Sequence, residues 1–160
     1  VSNMKIDGLK KLLEFTALLN QGADHNCSYE LIALPNALTL NEALAKYFES
    51  IVNWSTKKPH PASEWKISVS PTQGTPRDVL HAAVDQWVFQ TRCSPELGQH
   101  RAWARKNIVS FVVDEILEAL GELSVDEVHT DPPLWYECTW QDVALSCTDG
   151  RWLLHFGITD

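Results

Sequence analysis

His81 and Asp85 stand four residues apart in TPRDVLHAAVDQW, where Thr75, Pro76 and Asp78 carry the start signals of a helix. On a helix that spacing puts both side chains on one face, where an imidazole and a carboxylate could ligate a metal or act as a base with its orienting group. An amphipathic helix also produces this pair as a solvated i,i+4 contact, and that reading is the stronger one. His100, Arg101 and Arg105 offer a small basic face that could hold an anion, but Asp114, Glu115 and Glu118 follow, as in ordinary helix charge patterning. His129, in DEVHTDPP, reads as a bystander among carboxylates and His155 as a structural histidine. The chain has no GxGxxG, Walker A, GxSxG, HExxH or EF-hand sequence. Its cysteines, Cys27, Cys93, Cys138 and Cys147, include no CxxC pair, so neither a metal nor a cofactor is expected.

The aromatic residues carry the better functional signal. Seven tryptophans is a high count for 160 residues, and tryptophan is over-used as an interface anchor. Trp135 lies in an acidic neighbourhood made of Asp126, Glu127, Asp131, Glu137 and Asp142. An aromatic ring among carboxylates suits docking of a basic protein, through cation–π contact and charge pairing. The competing reading packs Trp135 under the Asp131-Pro132-Pro133 loop.

Net charge points the same way. At −8 the chain disfavours binding to a nucleic-acid backbone and favours a basic protein partner. No apolar run approaches the ~18 residues of a membrane span, and no signal-peptide pattern is present. A cytoplasmic protein with reduced thiols is the expectation, a Cys138–Cys147 cross-strand bridge the alternative. The leading functional expectation is a non-enzymatic, acidic partner-binding protein, such as a bacterial inhibitor or immunity protein masking a basic toxin or nuclease. The alternatives are a small metal-dependent hydrolase using His81 and Asp85, with Arg92 on the same face, and a secretion-type chaperone.

The elements that must position these residues follow from periodicity. Asp7 can cap a helix with Leu9, Leu12, Leu13, Leu18 and Leu19 inward, closing at Gly22. Ser28 to Leu34 reads as a strand or a short helix. Thr39 to Glu42 is a capping box opening a second helix. Ser55 to Ser63 is a polar, proline-bearing loop, and Glu64 to Ser70 alternates like a strand with Trp65, Ile67 and Val69 on one side. A third helix starts at Thr75. A long helical stretch signalled by Ser94-Pro95-Glu96, broken near Gly98, runs to Gly121 with Ile108, Phe111, Val112, Ile116, Leu117 and Leu120 as its buried stripe.

The last segment predicts a hairpin turning at Asp149-Gly150 in a type I′ turn, so that Leu145 faces Leu154 and Val143 faces Phe156. Keeping Tyr136, Cys138 and Trp140 inward along with Val143, Leu145 and Cys147 then requires a bulge near Gln141-Asp142, with a tight turn there as the alternative. Together these elements predict one α+β domain over residues 1–160, with four or five helices packed on one face of a small antiparallel sheet that ends in a C-terminal β-hairpin.

Overall fold

The computed structural model describes residues 3–21, 26–52, 57–88 and 98–159, apart from the side chains of Asn3 and of residues 98–101. It is an α+β fold with α1 (Asn3–Asn20), β1 (Asn26–Leu34), α2 (Leu40–Ser50), α3 (Ala62–Trp65), β2 (Ser68–Pro71), α4 (Pro76–Trp87), α5 (Gly98–Leu120), β3 (Leu123–His129), β4 (Thr139–Cys147) and β5 (Gly150–Thr159). The strands form one antiparallel sheet in the order β1-β5-β4-β3-β2, so the C-terminal hairpin lies at its centre.

Local chemistry explains several boundaries. Thr39 and Glu42 satisfy each other's backbone N–H groups in a full capping box at α2. Thr75 caps α4 through the Asp78 N–H, with Pro76 following it. The alternating run from Glu64 divides instead. After Pro61 the chain makes one helical turn, Lys66 adopts the left-handed conformation with φ of 47°, and only then does β2 begin. Trp65 is buried all the same, from the end of that turn. The start signal at Ser94-Pro95-Glu96, the closing Gly22, and Arg92 and Cys93 lie outside the described residues.

The helices cover both faces of the sheet, which corrects the one-face expectation. On the first face, α1, α4 and α5 pack Leu9, Leu13, Leu80, Val84, Val112 and Ile116 against odd-numbered β4 residues and even-numbered β5 residues, among them Val143, Leu145, Leu154 and Phe156. On the second, Ala43, Leu44 and Phe48 of α2 join Trp65, Val128, Ala144 and Leu153. Each strand of the hairpin therefore serves two cores, with Leu145 and Leu154 in the first and Ala144 and Leu153 in the second. Phe111, Leu18 and Leu19, expected inside, are exposed; Val109, Val113 and Ala17 take the inward positions.

The hairpin has the predicted faces and a different register. Leu145 pairs with Trp152, Val143 with Leu154 and Cys147 with Gly150, so the loop is Thr148-Asp149 and Gly150 opens β5. Gly150 is not left-handed, and the type I′ turn is not formed. Asn36, far away in sequence, sets this end of the sheet: the Arg151 N–H donates to its Oδ1 (3.0 Å) and its Nδ2 donates to the Asp149 carbonyl (3.3 Å). A Cβ at Gly150 would sit 3.3 Å from Asn36 Nδ2, so the glycine is there for close approach. No bulge interrupts Gln141-Asp142. Before β4 begins, however, the Cys138 N–H donates to the carbonyl of Ile158, whose Cα partner is Thr139, a two-against-one step at the strand's entrance. Trp140 then faces the second core, so the parity conflict is resolved by two cores rather than by a mid-strand bulge.

Candidate functional site

The second face of the sheet carries a cluster of two acidic side chains and a histidine inside an aromatic shell. Asp142 and His155 are direct cross-strand partners on β4 and β5, and Asp142 is only 2% exposed. Its Oδ1 lies 2.8 Å from His155 Nδ1, while Glu137 Oε1 lies 3.2 Å from Nε2 and accepts a hydrogen bond from the Ser28 hydroxyl at 3.1 Å. Glu137 comes from the connection between β3 and β4, and its side chain is only 10% exposed. Tyr136 reaches His155 Nδ1 at 3.4 Å and packs edge-on against Trp65 and Trp140.

Gly157 explains why a carboxylate fits there. It stands between Ser28 on β1 and Trp140 on β4, and the missing side chain leaves a hole in the second face. Glu137 fills that hole: a Cβ built on Gly157 would run into its carboxylate. The loop is thus fastened to the sheet by an acid lying on a glycine.

Burial pulls the His155 pKa down, but its hydrogen bonds and charge interactions with Asp142 and Glu137 outweigh this and push it up to about 10. His155 is an imidazolium at neutral pH, each ring nitrogen donating to a carboxylate. Burial raises the Asp142 carboxyl pKa against the opposing pull of His155. Burial first, and the nearby carboxylates second, raise the phenol pKa values of Tyr47 and Tyr136. An imidazolium with both nitrogens engaged has no lone pair with which to take a proton, and Ser28 donates to Glu137 rather than to the ring. The arrangement is therefore an ionic fastening of the loop to the sheet.

The other residues singled out in the sequence fall as follows. Asp85 is held by Arg105, whose Nε donates to its Oδ1 at 2.9 Å and whose Nη2 donates to its carbonyl at 2.5 Å. His81 is exposed on the same helix, and the cavity of about 470 Å³ beside α4 is lined by Asp78, Val79, Ala82 and Gln86 but by neither His81 nor Asp85. Among the described residues no group of His, Cys, Asp and Glu could hold a metal ion. His100 and Arg101 fall outside the described side chains.

Of the acidic residues grouped with Trp135, Glu137 and Asp142 lie inside the protein and hold His155; they are not part of a surface rim. Glu127 is exposed, with His129 3.5 Å away, Asp126 is half-buried, and Asp131 pairs with Lys66. Trp135 itself is 65% exposed, so it does not pack beneath the proline loop. Cys138 and Cys147 are in no disulfide and sit at opposite ends of β4, about 30 Å apart at ~3.3 Å per residue, which rules out a bridge between them. No protein-family model, curated protein or solved structure significantly matches this chain.

Proposed function

We propose that this is a non-enzymatic, partner-binding protein whose contact anchor is Trp135. The observation that carries the reading is how that ring is held out. Leu134 and Tyr136 on either side of it pack on the second core, and Glu137 is clamped by His155 and Ser28. A large aromatic on a loop fixed at both flanks loses little further freedom on binding, which is what a strong anchor requires. The net charge of −8, with Glu127 and Asp131 exposed, supports a basic protein as the partner. An inhibitor or immunity protein that masks a basic toxin or nuclease is the form this reading takes, acting in the cytoplasm. The hydrolase alternative, using His81 and Asp85, is the less favoured reading, since Asp85 pairs with Arg105.

The test is a binding time course at two salt concentrations with the basic protein that co-purifies with the native chain. Trp135→Ala should speed dissociation about tenfold or more, the range of an anchor residue. Charge reversal at Glu127 or Asp131 should slow association and flatten its salt dependence. Unchanged kinetics in all three variants would remove this surface.

A further inference from the structure

The outer edge of the sheet at β1 and the helix above it form a surface that complements itself. β1 is a nine-residue edge strand, and among the described residues no strand pairs with its outer side. A cavity of about 740 Å³ runs along it, lined by every residue from Cys27 to Ala33. Successive strand residues point to opposite faces, so a cavity touching all of them lies on the strand's free edge. Its wall is one stripe of α1, including Lys10, Glu14 and Leu18. Leu18 is 60% exposed, with Phe15 and Leu19 exposed beside it. A long unprotected edge under an apolar helix surface is what monomeric proteins avoid.

We propose that the occupant is a second copy of this chain, joined edge to edge through β1 and side by side through α1 about one two-fold axis perpendicular to the sheet. Such an axis keeps both α1 helices on the same side and pairs the strands antiparallel, extending the sheet across both subunits. The charge pattern fits it. Lys10 and Glu14 are one turn apart, so in an antiparallel α1 pair centred between them each Lys10 faces the other copy's Glu14.

The two contacts need the same axis, and their registers agree. The helix runs antiparallel to β1: the Cys27 Sγ lies 3.5 Å from the Asn20 carbonyl, and Lys10 Nζ sits over the ring of Trp152, which is the partner of Ala33. The midpoint of Lys10 and Glu14 is about 12 Å back from Asn20 along the helix at ~1.5 Å per residue. The same distance along β1 from Cys27, at ~3.3 Å per residue, falls between Glu30 and Leu31. An axis through Leu31 puts Glu30 opposite the partner's Ile32, which avoids a like-charge pair.

Sedimentation equilibrium of the whole chain over a wide concentration range tests this. The wild type should show a monomer–dimer equilibrium, and amide exchange in β1 should slow as dimer forms. Leu18→Asp, at an exposed position, should be a folded monomer by circular dichroism. Glu14→Lys should raise the dimer Kd about tenfold, and adding Lys10→Glu should recover most of the loss. A wild type that stays monomeric would overturn the proposal. So would a dimer indifferent to Leu18→Asp, or a double variant as defective as Glu14→Lys alone.

Discussion

Gly157→Ala is a one-methyl change whose effect should reverse sign with the residue at position 137. In the interior of a strand alanine is ordinarily better than glycine by about 0.5–1 kcal/mol, because glycine loses more backbone freedom on folding. Here the new methyl occupies the place of the Glu137 carboxylate. That carboxylate must leave, giving up its bond to His155 Nε2 at 3.2 Å and its acceptance of the Ser28 hydroxyl. Losing a buried, charge-assisted hydrogen bond costs about 1.5–3 kcal/mol. The net effect should be a destabilisation of about 1–2 kcal/mol, or a fall in Tm of about 2–8 °C for a domain of this size.

In a Glu137→Ala background there is nothing to displace, and Gly157→Ala should stabilise by about 0.5–1 kcal/mol. Urea unfolding of the wild type, both single variants and the double variant closes the cycle, with unchanged m-values as the check that the transition stays two-state. A coupling energy below about 0.5 kcal/mol, or the same sign in both backgrounds, would refute the account of Gly157 as the seat of Glu137.

The ring of His155 should carry protons on both nitrogens at pH 8, seen by nitrogen-15 shifts; a single neutral tautomer there would contradict the clamp. Its folded-state pKa, about 10, lies above the ordinary 6.5, so its stabilisation is full below pH 6.5 and should fade as pH rises towards 10, a loss that His155→Gln should flatten. Among the thiols, Cys138 is exposed whereas Cys27 is buried with its pKa raised mainly by that burial, so a thiol reagent should label Cys138 well before Cys27 in the native protein. Equal labelling rates would count against this packing. Asn36→Ala should cost about 1–2 kcal/mol by freeing the Arg151 N–H and the Asp149 carbonyl, and a smaller loss in urea unfolding would mean that water replaces both bonds.

Periodicity was enough to assign the faces of the hairpin, because alternation depends only on local parity: Val143, Leu145, Leu154 and Phe156 share the first core. The same parity put Asp142 and His155 together on the mixed face. What it could not supply was the register. An Asp-Gly turn places Gly157 opposite Asp142 and Ala144 opposite His155, whereas a loop at Thr148-Asp149 makes Asp142 and His155 direct partners. The deciding contact is Asn36 against Gly150, made by a residue more than a hundred positions away, and no local propensity encodes it. The ionic cluster was hidden for the same reason. A mixed face normally meets water, and here it meets α2, Trp65 and the Tyr136 loop, so the charged groups on it had to find one another.

One sequence signal did point there. Gly157 is an isolated glycine inside an apolar strand, which marks a place where something comes close. What comes close is Glu137, and the same contact that buries this acid leaves Trp135 outside. The interior carboxylate and the exposed indole are thus two consequences of one loop conformation. A residue that looked like part of an acidic surface serves instead to hold an aromatic residue on it.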